Sequence, residues 1–204
     1  MPRLIGVAGA PGSGKSALVD GLAAALPDAG AIHMDGYDNM TRLPIEAVAR
    51  WYREGADIDA FDMPQLAEDL RRLKAGEPAR EPRSGLAVAP ARYVLFETQF
   101  GRAHRATGRH IDLLVWVDTP LDVALARSVR ALVARCLGEA DAAQCAARLR
   151  WLQGYLDNYL GTVRDLLEMQ KARVAAQADL VLDGRRSVAE LVAAARAEIL
   201  RRLP

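Results

Sequence analysis

Cysteine is almost missing: Cys136 and Cys145 are the only two in 204 residues, and both fall in stretches that read as helix. Two thiols and three scattered histidines supply neither a disulfide framework nor a structural metal site, so the cysteines are expected to be reduced helix residues. No uninterrupted apolar run approaches the roughly 20 residues that a membrane-spanning helix requires. Met1–Pro2–Arg3 runs straight into apolar residues and glycines, without the pattern of a signal peptide, so the expected location is cytoplasmic. Charge of one sign is also lacking. A formal net charge of +1 gives no basic surface for nucleic acid or an anionic membrane, and neither is expected as a partner. Lysine is scarce, at Lys15, Lys74 and Lys171 only, against 27 lysines and arginines together. Lys15 therefore stands out from an arginine background.

The chain does have an ordinary globular composition, 51% hydrophobic and 26% charged, and a length that suits one domain with a small lid. Five short apolar runs read as strands: 4–8, 31–34, 93–96, 111–117 and 179–182. Each is bounded by glycine or an acidic residue. Helices are expected between them, over 14–26, 45–54, 64–75, a stretch after Thr119, 141–176, and a last one opened by a Ser187/Glu190 capping box. Thr119 reads as the cap of its helix, with Pro120 in the first turn. Residues 77–90 read as loop. Alternating strands and helices predict an α/β fold, a parallel sheet covered on both faces, with ligands gathered at the carboxyl ends of the strands. Gly9–Ser16, Asp35, Glu97 and Asp118 all fall at such ends.

Gly9-Ala10-Pro11-Gly12-Ser13-Gly14-Lys15-Ser16, followed by Ala17, matches the phosphate-binding P-loop in full, between a strand and a helix. Glycines let backbone N–H groups turn around phosphate oxygens, and the helix start adds unpaired N–H groups. Lys15 is expected to reach the outer phosphates, and Ser16 to ligate Mg²⁺. No guanine-reading N-K-x-D sequence is present, and the chain leaves little room for motor modules. A kinase remains the favoured reading. Asp35 is the expected base on the acceptor hydroxyl, and Glu97 the expected carboxylate for magnesium or substrate. Arg127 and Arg130, three apart on one helix, are expected lid residues over the phosphates, while Arg135, Arg148 and Arg150 are weaker candidates. His104 is a candidate for the acceptor side; His33, inside a strand, reads as packing.

The P-loop followed by Met34-Asp35-Gly36-Tyr37 resembles the uridine kinase and pantothenate kinase group of P-loop kinases. Ala60-Phe61-Asp62 with Leu66, Leu70, Leu73 and Gly76 is similar to a stretch of that group, and so are Phe96-Glu97, Val117-Asp118-Thr119-Pro120 with Arg127 and Arg130, and Gln177 to Gly184. The resemblance covers nearly the whole chain. It implies a five-stranded sheet of order 2-3-1-4-5, ATP and Mg²⁺ as cofactors, Asp35 as catalytic base, Tyr37 near the acceptor and Gly184 beside the adenine. The loop Glu81-Pro82-Arg83-Ser84-Gly85 lacks the tyrosine-aspartate and histidine-arginine pairs of the nucleoside kinases, and Thr98 stands where a glycine is expected. Uridine is thus one acceptor among several.

The resulting expectation is a single P-loop kinase domain, with an acceptor-side insertion over about 36–90 and a lid over about 127–150. It passes the γ-phosphate of ATP to a hydroxyl of a small metabolite of nucleoside, sugar, pantothenate or glycerate type, and it leaves room for a homodimer. The competing expectations are a nucleotide-dependent switch without a small acceptor, and a nucleoside monophosphate kinase using Arg42, Arg50 and Arg53.

Overall fold

Strand β1 (Arg3–Ala8) is buried at every position after Arg3. A strand without polar alternation must be covered on both faces, which is the condition of a parallel sheet interior. The computed structural model of the chain describes residues 1–37, 43–138 and 140–204; Arg42 of the monophosphate-kinase reading lies outside them. Around β1 are α1 (Lys15–Ala25), β2 (Ala29–His33), α2 (Ile45–Arg53), α3 (Pro64–Lys74) and the short strands β3 (Ala79–Arg80) and β4 (Ala87–Val88). Then come β5 (Tyr93–Thr98), α4 (Arg105–Gly108), β6 (Leu113–Asp118), α5 (Leu121–Leu137), α6 (Ala142–Asn158), α7 (Arg164–Gln170), β7 (Leu180–Asp183) and α8 (Val188–Arg202).

The main sheet runs β2-β5-β1-β6-β7, all parallel, which is the expected 2-3-1-4-5 order once the β3–β4 pair is set aside. Alternate residues feed two cores. Leu4, Ile32, Phe96, Leu114 and Trp116 pack against Leu66, Leu70 and Leu73 of α3. Ile5, Val7, Leu95 and Val115 pack against Leu18 and Leu22 of α1 and Leu191 and Ile199 of α8. Each such aliphatic side chain contributes about 1.5–3 kcal/mol by leaving water. The leucine stripe predicted on α3 is thus the cover of one sheet face.

Three sequence expectations need correction. The segment 77–90 is not plain loop, because β3 and β4 pair antiparallel there (Ala79 with Val88, Arg80 with Ala87). Thr119 does not cap its helix. Pro120 occupies the cap position without a side-chain bond, and the Thr119 hydroxyl donates instead to the Ser13 carbonyl at 3.1 Å, 106 residues away. Strand β6 begins at Leu113, not at Ile111, because the Asp112 carboxylate turns to accept the Leu4 N–H at 2.7 Å. The predicted helix over 141–176 is one helical run broken into two registers, with wide π turns at Tyr159–Val163 and Lys171–Ala175 flanking α7. Both cysteines are unbridged.

Candidate active site

Because all five strands of the main sheet are parallel, their carboxyl ends meet on one edge. From β1 the chain turns through Gly9–Gly14 into α1, whose first residue is Lys15. Gly14 caps that helix at φ +103°, a left-handed conformation that glycine adopts without Cβ strain. A Cβ on Gly12 would strike the Ala124 carbonyl and the Ser128 hydroxyl of α5, so α5 is closed against the loop. Neither Gly14 nor an acidic residue in the first turn neutralises the helix start, which stays open to an anion.

Two polar groups of the loop are buried. The Ser13 hydroxyl is buried and has no hydrogen-bond partner among the described residues. The Lys15 ammonium is buried and donates to the Ala10 carbonyl at 3.1 Å. Burial pushes its pKa below the ordinary lysine value, against the opposing charges of Glu97 and Asp35. An orphaned hydroxyl and a desolvated ammonium in a glycine loop fit the phosphates of a nucleoside triphosphate.

Ser16, on the first turn of α1, donates its hydroxyl to Oε1 of Glu97 at 2.9 Å, although the two are 81 residues apart. A hydroxyl beside a carboxylate is a hard-oxygen pair of the kind Mg²⁺ accepts. Among the described residues no cluster of three or more His, Cys, Asp or Glu could hold a metal unaided. Ser16 and Glu97 could hold such an ion together with phosphate oxygens.

The other oxygen of Glu97 meets Nδ1 of His33 at 2.8 Å. Strand register explains it, since His33 of β2 lies directly opposite Glu97 of β5. That hydrogen bond, opposed by burial, raises the His33 pKa above its ordinary value. Burial pushes Glu97 upward, but the bonds from His33 and Ser16 and the charge of Lys15 outweigh it and leave Glu97 below the usual carboxylate range. Reading His33 as packing missed this contact, because no local pattern reveals which strand lies alongside.

Asp35 is exposed and shares one cleft with Lys15, Met34, Glu97, Thr98 and Gln99. The β3–β4 hairpin holds its backbone: Arg83 donates its guanidinium to the Asp35 carbonyl at 2.8 Å and its N–H to the Gly36 carbonyl at 3.1 Å. Glu81, 2% exposed, accepts the His33 N–H at 2.6 Å and the Ser84 hydroxyl at 2.6 Å. Neither Glu81 nor Arg83 was singled out from sequence as a positioning residue. The only local signal was an acidic and a basic residue in a segment read as loop.

The remaining candidates are placed differently. Tyr37 is buried and its hydroxyl donates to Asp69 at 2.8 Å, so it supports α3 instead of presenting its hydroxyl to an acceptor. His104 is likewise buried, with its ring nitrogens at 2.8 Å from the Thr107 hydroxyl and 3.0 Å from the Phe61 carbonyl. Burial lowers its pKa, consistent with a neutral structural ring. Both depart from the expected acceptor contacts because the segment 58–61 and α3 close over them. The Thr98 hydroxyl accepts from the N–H groups of Phe100 and Gly101 at 3.1 Å each and so turns the chain after β5. Arg127 donates to the Gly184 carbonyl at 2.8 Å, at the carboxyl end of β7, while Arg130 is exposed. A Cβ on Gly184 would collide with the Thr119 hydroxyl, so the absence of a side chain lets this turn approach the P-loop support. Lys171 forms an ion pair of 2.7 Å with Asp118 at the end of β6.

Curated proteins similar to this chain in sequence are named as kinases. No family model matches the chain. A uridine kinase of Borreliella burgdorferi (strain ZS7) is 25% identical over 179 residues, covering 80% of this chain and 78% of that one. A uridine kinase of Lactobacillus helveticus (strain DPC 4571) is 28% identical over 195 residues, covering 89% and 86%. Among solved structures, shikimate kinase from Acinetobacter baumannii in complex with shikimate superimposes with a TM-score of 0.52 at 16% identity. It covers 99% of this chain and 95% of that one, a likeness of fold.

Proposed function

We propose that this chain, a P-loop kinase homologous to the uridine kinases, transfers the γ-phosphate of ATP to a hydroxyl of a small metabolite. The observation that carries the reading is the shared cleft of Lys15, Asp35 and Glu97 beside the orphaned Ser13 hydroxyl. Phosphoryl transfer requires positive charge on the transferring group, a carboxylate at the incoming hydroxyl and a place for the ion. Mg-ATP brings the phosphoryl group and a divalent charge.

In this reading, backbone N–H groups of Gly9–Ala17 and the Ser13 hydroxyl hold the phosphates, and Lys15 offsets the charge of the transferring group. Ser16 and Glu97 hold the ion. Asp35 accepts the proton of the acceptor hydroxyl as the new O–P bond forms and the bond to the ADP oxygen breaks. Arg127, fixed to Gly184, lies at the nucleotide side. The chain acts as one kinase domain, with residues of 36–90 on the acceptor side and 127–150 as a lid.

ADP release from Mg-ATP should accelerate with one member of a panel of nucleosides, sugars, pantothenate, glycerate and simple alcohols. The acceleration should vanish in Lys15→Ala. Asp35→Asn should bind ATP normally and lose at least ~10²-fold in kcat, the scale of a positioned base. Hydrolysis indifferent to every compound, with Asp35→Asn unimpaired, would return the chain to the switch reading.

A further inference from the structure

Beside the P-loop lies a second, larger cavity of about 290 Å³, which touches Pro11 and shares Gln99 with the cleft of Lys15, Asp35 and Glu97. Its position leads from the phosphate end of the loop toward the acceptor side. The wall is made chiefly of Ile45, Val48, Ile58, Phe100, Val163 and Leu166. Among the described residues no charged side chain lines it. Its polar groups are few. The side-chain amides of Gln99 and Asn158 and the Tyr155 hydroxyl make no hydrogen bond to another described residue, whereas Gln170 donates its amide to the Gln99 carbonyl. Part of the wall comes from the π turn at Tyr159–Val163, which shifts the helical register where α6 passes the cavity and brings Val163 into it.

From this we infer that the acceptor is a neutral alcohol with an apolar body and at most one or two polar groups besides its reacting hydroxyl; the inference rests on the kinase reading and narrows it. A polyol would bury more hydroxyls than the few polar side chains described on these walls can partner. A carboxylate acceptor would meet no counter-charge among the described lining residues. An apolar ring or branched alkyl group matches Ile45, Val48 and Phe100, and the two unengaged amides can read a single polar group beyond it. The hydroxyl would then project past Gln99 toward Asp35.

The test pairs turnover with binding. Phenylethanol, hydroxyethylthiazole and isoprenol are compared with uridine, gluconate and shikimate. ADP release gives kcat/KM, and calorimetry with Mg²⁺ and a non-hydrolysable ATP analogue gives Kd. At least one apolar alcohol should exceed every polar compound by ~10-fold or more in kcat/KM, the scale on which an apolar pocket discriminates. Val163→Phe, which narrows the cavity, and Asn158→Asp, which places a charge in it, should each weaken that alcohol ~10-fold or more. Thermal unfolding and Mg-ATP affinity check that fold and donor site are intact. A preference for uridine, gluconate or shikimate keeps the kinase reading and overturns this inference. Binding of an apolar alcohol, lost in both variants but never followed by ADP release, keeps the pocket assignment and sinks the kinase reading. Absence of both binding and turnover with the apolar alcohols overturns this inference and leaves the kinase reading to the Asp35→Asn test.

Discussion

Nδ1 of His33 lies 2.8 Å from one oxygen of Glu97 while the Ser16 hydroxyl lies 2.9 Å from the other, so a single carboxylate joins β2, β5 and the first turn of α1. The two hydrogen bonds fix the orientation of the carboxylate, and in the proposed reading they would tune it as a ligand of the ion.

Glu97→Gln should keep the neutral hydrogen bonds and lose the charge. The Mg²⁺ concentration for half-maximal activity is expected to rise ~10–100-fold, with Kd for metal-free ATP nearly unchanged. Titrating activity against Mg²⁺ decides it. An unaltered Mg²⁺ requirement would assign Glu97 to the substrate instead.

Stability of the nucleotide-free protein should depend on pH through the same pair. His33 has its pKa raised from 6.5, chiefly by the Glu97 hydrogen bond, so its contribution is complete below about 6.5 and is lost as pH rises through the raised value. The lowered pKa of Glu97, ordinarily 4.5, makes its contribution complete above that pH and lost as pH falls through the lowered value. The pair is therefore most stabilising between these limits. The difference in thermal midpoint between wild type and His33→Gln should shrink as the pH is raised from about 6 through the raised His33 pKa. A difference constant with pH would mean that the ring acts by packing alone.

Gly36→Ala tests the hairpin's hold on the catalytic strand end. A Cβ there would stand 2.5 Å from Oε2 and 2.6 Å from Cδ of Glu81. That carboxylate is fixed by the His33 N–H and the Ser84 hydroxyl and has little freedom to retreat. The expected cost is about 1–3 kcal/mol of stability, as for other overpacked sites. Because Asp35 is the neighbouring residue, kcat should fall much more than ATP affinity. Denaturant unfolding and steady-state kinetics measure the two effects; an equal loss in kcat and ATP binding would show a general collapse of the edge.

Arg127→Ala removes the donor to the Gly184 carbonyl at 2.8 Å. If the arginine holds the turn that borders the nucleotide base, KM for ATP should rise several-fold and kcat change less. A fall in kcat with KM unchanged would instead place its guanidinium on the transferring phosphate, as the helix spacing with Arg130 first suggested.

Much of this protein was determined by local sequence. Five apolar runs without alternation pointed to a covered parallel sheet, and glycines at set spacing before Lys15 pointed to a turn of the phosphate-binding kind. Such features depend on neighbours a few residues away, where backbone sterics and hydrophobic period act directly. The expectation of Glu97 as a carboxylate for magnesium or substrate rests on the same rule about strand ends. Tertiary structure decided the rest. The register of β2 on β5 set His33 against Glu97, the fold brought Thr119 to Ser13, and the β3–β4 hairpin was closed over Gly36 by Glu81 and Arg83. Tyr37 and His104 carry groups that could serve chemistry, yet Asp69, Thr107 and the Phe61 carbonyl engage them inside the core. Composition cannot foresee such pairings, because a polar side chain bonds whichever partner the folded chain presents, and that partner lies tens of residues away.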